Sequence, residues 1–347
     1  MKQLALSLLL LLFLSSCHQK KSIRIEKSDN YFQSDFTLAF GSCNNQSLPN
    51  TLWPEITRNK PDVWVWGGDI VYSDTEDMEL MQQSYSLLKN NEQYRKFREN
   101  TPVLGTWDDH DYGLNDGGIT YKQKDKVQQI LLDFLDVSPQ DPRRFRPGVY
   151  HAKTYQIGRT MIQIIILDTR YFRTKLTKDP TGKKRYLATT DKSGSILGAE
   201  QWKWLEARLS NPKVSFNIIV SSIQFLSSEH GFERWGTMPH EADKMENLIL
   251  KSSAKNTIIL SGDRHISEFS KKEIGEYGFP LIDFTSSGLT HSYESFKGEE
   301  NKYRIGPVIS VKSFGLLKFN FEQHRVKFEI RGENNQLLSS YKQVYTP

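Results

Sequence analysis

Asp108-Asp109-His110-Asp111 places three carboxylates and an imidazole on four consecutive residues of a 347-residue chain. Like charges crowded this closely repel unless a cation neutralises them, so a metal site is the favoured reading. A solvated acidic turn is the alternative; Trp107 and the apolar pair Val103-Leu104 just upstream argue against it. A second stretch, Val63-Trp64-Val65-Trp66-Gly67-Gly68-Asp69-Ile70-Val71-Tyr72, carries an apolar run through two glycines to Asp69, with Tyr72 three residues on. Glycines let backbone turn tightly and approach a ligand. A carboxylate can bridge two metals, and a phenolate is a hard anionic donor suited to a trivalent ion. Read alone, this segment fits an Asp capping a helix beside a core Tyr equally well. The third stretch, Leu260-Ser261-Gly262-Asp263-Arg264-His265, repeats the design. Alternate residues of an extended segment point the same way, so Asp263 and His265 can both face one ion, with a structural His as the alternative. Cys43 follows Phe36–Phe40 and Gly41, among polar Ser42, Asn44 and Asn45. It reads either as a buried inert thiol or as a strongly donating thiolate ligand.

The elements that must carry these residues follow from periodicity. Apolar, β-branched or aromatic runs at Phe36–Phe40, Val63–Trp66, Thr160–Leu167, Phe216–Ser222, Thr257–Leu260 and Leu281–Phe284 read as strands. Helical patterns lie at Trp53–Arg58, Met78–Arg98, Tyr121–Leu135, Ala199–Leu209 and Glu241–Leu250. Near the end, Leu316–Phe321, Val326–Arg331 and Leu337–Val344 read as antiparallel strands joined by turns. Strand and helix alternating before a β-rich tail gives an α/β layered fold with mixed sheets, whose number the pattern leaves open. Four strands run into polar clusters at Gly41–Asn44, Gly67–Asp69, Asp168–Arg170 and Gly262–His265. Ligands of open α/β sheets bind beyond the carboxyl ends of strands, so the four clusters point to one shared site. Arg170 there could clamp a phosphate oxygen bidentately or pair with Asp168, two readings of equal weight.

Composition sets the context. The formal charge is +5 with both signs interspersed, which does not argue for a nucleic-acid partner and is compatible with an anionic substrate. Lys2, the apolar run Leu4–Leu14 and Leu14-Ser15-Ser16-Cys17 have the layout of a signal peptide too short to span a membrane. The site resembles a bacterial lipobox. Residues 1–16 are therefore expected to be removed, Cys17 to be lipidated, 17–35 to form a polar tether, and 36–347 to form the catalytic domain. The expected location is outside the cytoplasm, on a bacterial membrane and facing the periplasm, as a monomer. Cys43, the other cysteine of two, then has no disulfide partner.

Taken in order, Ser42-Cys43, Gly68–Tyr72, Trp107–Asp111, Leu167–Arg170, Leu197-Gly198, Glu200-Gln201, Trp204-Leu205 and Gly262–His265 resemble the metallophosphoesterase superfamily, and within it the alkaline phosphatase D (PhoD-like) branch. The resemblance spans roughly residues 36 to 290. It implies an αββα sandwich of two mixed β-sheets flanked by helices. It implies phosphomonoesterase or phosphodiesterase activity by attack of a metal-bound hydroxide, with Fe3+ and Ca2+ as cofactors and other divalent metals possible. Asp69 takes the place of the bridging carboxylate, Cys43 and Tyr72 the ferric side, and Asp109 a position where many relatives have Asn. Asp263 and His265 close the cluster, and His110 matches the histidine beside the phosphate. Where many members have a metal-binding His, this chain reads Ser221-Ser222-Ile223-Gln224, so Gln224 substitutes or the cluster differs. The type protein's N-terminal β-domain has no room before Phe36, which withholds any inherited substrate preference. The basic segment from Arg173 to Ser195 could overhang the site and recruit anions, or be a solvated loop. A catalytically inactive binding lipoprotein on the same scaffold, or a glycosidase using the Asp108–Asp111 carboxylates, are the rival functions.

Overall fold

A computed structural model describes residues 32–252, 254 and 256–346. Cys17 and the apolar run before it lie outside the described residues. The strands in chain order are β1 (Phe36–Gly41), β2 (Val63–Gly67), β3 (Val103–Thr106), β4 (His151–Ile157), β5 (Thr160–Ile166), β6 (Thr177–Lys178), β7 (Tyr186–Leu187), β8 (Phe216–Val220), β9 (Thr257–Ser261), β10 (Ser267–Ile274), β11 (Phe279–Ser286), β12 (Arg304–Ile309), β13 (Phe314–Asn320), β14 (Arg325–Arg331) and β15 (Leu337–Val344). The helices are α1 (Trp53–Arg58), α2 (Met78–Lys89), α3 (Glu92–Arg98), α4 (Asp109–Tyr112), α5 (Lys124–Phe134), α6 (Gly198–Leu209) and α7 (Pro239–Lys251).

Two mixed sheets result. One has the order β15-β14-β13-β1-β2-β3, with β1, β2 and β3 parallel and the β13–β15 meander antiparallel. The other has the order β12-β10-β11-β9-β8-β5-β4, parallel from β11 to β5 and antiparallel at both margins.

Strand alternation explains the layers. Val63 and Val65 of β2 pack inward with Leu38 and Phe40 of β1 against Ile164, Ile218 and Ile258 of the other sheet. Their neighbours Trp64 and Trp66 point outward under α1, α3 and α5, where they meet Trp53, Tyr94 and Phe134. In the second sheet Ile165, Ile219 and Ile259 face outward onto Trp202 and Leu205 of α6 and Met245 of α7. Each central strand is therefore largely apolar on both faces, which is why β2, β5, β8 and β9 read as hydrophobic runs with few polar interruptions. The result is the αββα sandwich.

The structure differs from the sequence reading in particular places. The single helix expected over Met78–Arg98 is two, because the Asn91 side chain accepts from the Gln93 and Tyr94 amides at 3.1 Å and starts α3 afresh. Strands β3, β4, β10 and β12 carry no long apolar run: β3 is four residues long, and the others have exposed or polar faces.

Candidate metal centre

The carboxyl ends of β1, β2 and β3 meet those of β5, β8, β9 and β11 at one end of the sandwich. Two glycines allow the approach. A Cβ on Gly262 would lie 2.5 Å from Ser42 Oγ and 2.9 Å from the Gly67 carbonyl oxygen. A Cβ on Gly68, at φ 95°, would lie 2.5 Å from Asp108 Cβ. Beyond the strand ends the chain turns through left-handed backbone at Cys43 (φ 58°), Asp69 (φ 49°), Asp263 (φ 68°) and His265 (φ 55°). Such conformations cost non-glycine residues energy, most of all Cys43, and cluster where a fold must aim side chains at a common point.

They do converge. Cys43 Sγ lies 3.3 Å from Asp69 Oδ2, and the Tyr72 hydroxyl lies 3.3 Å from that same oxygen and 3.0 Å from His265 Nε2. Three overlapping donor sets have ligand atoms within 4.8 Å of one another: Cys43, Asp69 and His265; Asp69, Asp109 and His110; Asp108, Asp109 and Asp263. Asp69 and Asp109 each belong to two sets, the placement expected of bridging carboxylates. Asp263 and His265 fall in different sets. The segment turns at both residues, so the strand alternation that would let both face one ion does not apply.

The electrostatics favour a cation. Burial pushes Asp69 and Asp263 well above the usual carboxylate range, and neighbouring Cys43 and Asp109 push Asp69 further. Asp108 is raised to about 7, first by burial, although Arg170 opposes it. The Cys43 thiol is raised to about 11 by burial, and Tyr72 is raised by burial and then by Asp69. Asp108 Oδ2, a buried oxygen of these donor sets, has no hydrogen-bond partner. A bound cation supplies that partner and reverses the cost of every anion here, so the residues present fit metal ions. The donor chemistry is divided: thiolate, phenolate and imidazole on one side, carboxylate oxygens on the other.

His110 sits on the rim. Its Nδ1 is 2.6 Å from Asp74 Oδ2 and its ring stacks on Tyr72 at 4.2 Å. Burial alone would lower its pKa, but the Asp74 bond and the charges of Asp69 and Asp109 outweigh this and raise it to about 10. Asp109 shows the opposite balance. Burial opposes ionisation, yet Arg170, His110 and the amides of Asp116 and His110 hold it below the ordinary value. Asp111 turns away, accepting from the Asp108 and Ile70 amides at 2.6 and 2.9 Å, and so serves the turn.

Arg170 requires a correction. Its side chain is fully buried and its guanidinium pairs with Asp108 and Glu233 instead of being presented to a phosphate. Nor is Asp168 its ion-pair partner. Asp168 accepts instead from Trp107 Nε1 at 2.9 Å and from the Arg170 and Tyr171 amides. Arg170 thus positions Asp108. Gln224 does not turn toward the cluster: its amide donates to Glu268 and Thr285, both at 2.9 Å. Ser222 occupies that strand end, 2.8 Å from Asp108 Oδ1.

Sequence reasoning passed over Ser287, 3.0 Å from Cys43 Sγ, and His291, whose ring lies 4.5 Å from His265 and 5.1 Å from Tyr72. Both follow β11, so the strand-end rule applied to Leu281–Phe284 would have found them. Asn115 and Asp116 hold Asp109 Oδ2 at 3.0 and 2.7 Å from a loop without an apolar signal. The cluster opens into a cleft of about 310 Å³ lined by Asp109, His110, Asp263 and His265, with Arg185, Phe232 and Tyr293 on its walls.

Comparison with known proteins bears on the family and the fold. The family model for PhoD-like phosphatase matches residues 38–337. Alkaline phosphatase D of Bacillus subtilis (strain 168) is 22% identical over 183 residues, a match covering 48% of this chain and 31% of that protein. The chain thus spans about a third of that relative's length. The solved structure of PhoD superposes with a TM-score of 0.68 at 16% identity, covering 89% of this chain and 68% of the other. A dimetal phosphatase from Danio rerio gives 0.55 at 12% identity, covering 90% and 100%. At these identities the two structures speak for the fold, and they share it.

Proposed function

The chain belongs to the PhoD-like phosphatase family, and on that premise we propose that it hydrolyses phosphate esters at the strand-end cluster, with metal ions as cofactors. The observation that carries the reading is three donor sets sharing Asp69 and Asp109 around a buried, unpartnered carboxylate oxygen. Cys43, Asp69, Tyr72 and His265 would hold a ferric ion. Asp108, Asp109 and Asp263, all oxygen donors, suit a hard divalent ion such as Ca2+. When bound, the metals supply a nucleophile at neutral pH and stabilise charge on the reacting phosphoryl group.

The protein's own groups do the rest. Asp74 fixes Nδ1 of His110, so Nε2 is the nitrogen free to face the cleft, and Tyr72 sets the plane of the ring. From there His110 can protonate a departing oxygen. Arg170 holds Asp108 in place and opposes its protonation, and burial of the donors keeps competing water away from them.

The test uses purified enzyme with an aryl phosphate. Activity should vanish on chelation and return with added metal, and Asp69→Asn should lose both metal and activity. A thiolate and a phenolate on ferric iron should give a visible absorbance that Cys43→Ser shifts. Hydrolysis undiminished in metal-free protein would overturn the metal-dependent reading. A colourless, iron-free but metal-dependent enzyme would overturn the ferric assignment alone.

A further inference from the structure

The cleft must recognise an anion, and its arginines differ in what they have left to offer. Arg170 is buried between Asp108 and Glu233. Arg264 is 7% exposed, pairs with Glu299 at 2.6 Å and lies flat on Phe232 at 3.9 Å. Arg185 stands apart. Its side chain is 48% exposed, it lines the same cleft as Asp109, His110, Asp263 and His265, and its carboxylate partner is Asp116 at 2.5 Å.

Arg185 is fixed at its root, and its half-exposed tip is held by a single carboxylate, Asp116. The β6–β7 hairpin is pinned where the amides of Arg185 and Tyr186 both donate to the Gly231 carbonyl oxygen, at 3.0 and 2.9 Å. Gly231 permits this approach, because a Cβ there would sit 3.0 Å from Lys184. Asp116 does not depend on Arg185. It also accepts from the Tyr186 hydroxyl at 2.8 Å, so the guanidinium can leave without stranding the carboxylate. The amide of Asp116 holds Asp109 Oδ2 at 2.7 Å, which places the Arg185 pair one residue from the candidate metal donors.

We propose that Arg185 is a specificity-determining residue: it takes a non-bridging oxygen of the substrate's phosphoryl group and so favours dianionic monoesters over monoanionic diesters. This rests on the phosphoesterase reading above. A monoester brings three terminal oxygens and two charges, so an oxygen remains for the arginine fork once the others face the metal donors. In a diester one of those oxygens carries a second substituent and no charge.

The experiment compares wild type, Arg185→Gln and Lys183→Gln on nitrophenyl phosphate and on methyl nitrophenyl phosphate, which share a leaving group. Lys183 lies on the same hairpin, exposed and outside the cleft, and its substitution makes the same change in net charge. Arg185→Gln should lower kcat/KM for the monoester about tenfold or more, mostly through KM, and for the diester by less than about threefold. Calorimetric titration with inorganic phosphate should show a comparable loss of affinity, with Lys183→Gln like wild type in every assay. Equal losses on both esters, unchanged phosphate affinity, or an equal effect of Lys183→Gln would overturn the proposal. A wild type that hydrolyses neither ester would defeat the functional reading instead, and the phosphate titration would still decide the role of Arg185.

Discussion

His110 faces two tasks that its position makes compatible but that experiment separates. It shares a donor set with Asp69 and Asp109, yet its Nδ1 is committed to Asp74 and its ring is clamped against Tyr72. A ring held this way suits proton donation to a leaving oxygen, which matters most when that oxygen is a strongly basic alkoxide. His110→Ala is therefore expected to keep most of its metal. It should lose about 10²–10⁴-fold in kcat/KM on alkyl esters and far less on nitrophenyl esters. Metal content and a leaving-group series are the measurements. Loss of metal, or equal losses across the series with metal intact, would overturn the general-acid role.

At the level of elements, the β13–β15 meander widens the first sheet and carries an ionic knot remote from the cleft. Glu329 on β14 accepts from Arg331 at 2.7 Å, Lys327 at 2.8 Å and Lys318 at 3.0 Å. Burial alone would raise its pKa, but these cations win and lower it to about 2 from 4.5. A carboxylate depressed in the folded state stabilises the fold above its unfolded value. That contribution is lost as pH falls from about 4.5 through about 2. Linkage sets a ceiling of about 3 kcal/mol, and solvent screening of the partly exposed cations brings the expectation to about 1–2 kcal/mol. Urea denaturation of Glu329→Gln should show that deficit at pH 7 and a shrinking one between pH 5 and pH 3. A deficit independent of pH would mean the residue acts through packing.

For the whole molecule, two sheets closing face to face bring strand ends from distant parts of the sequence to one rim: Cys43 and Ser287 touch across 244 residues. The cleft opens at that rim while the helices cover both outer faces, so the rest of the fold is scaffold for it. The N-terminal segment adds a question of place. Among the described residues no helix is long and apolar enough to cross a membrane. Lys2, the Leu4–Leu14 run and Cys17 motivate export and lipid attachment. Cys17→Ser is expected to move the protein to the soluble fraction or leave it unprocessed. Identical fractionation of wild type and variant, with no lipid on the mature N-terminus by mass spectrometry, would remove the anchor.

The central strands and the residues at their ends were legible before any coordinates, because alternation, apolar runs and glycine-limited turns are local properties. Val63–Trp66 running into Gly67-Gly68-Asp69 reads the same way in either setting. Partner choice was not local. Arg170 is adjacent in sequence to Asp168's neighbour Thr169, yet it pairs with Asp108 and Glu233, 62 and 63 residues away, because β3 and β5 end beside one another. The half-polar strands β4, β10 and β12 were hidden for a related reason: their strand character comes from pairing with neighbours rather than from their own apolar content. Ser222, Ser287 and His291 follow strand ends and Arg185 lies in the basic segment, but which of them meet the cluster is set by long-range packing. Strand ends can be read one at a time along a chain, whereas the set of ends that meets is chosen by burial of two sheet faces against each other.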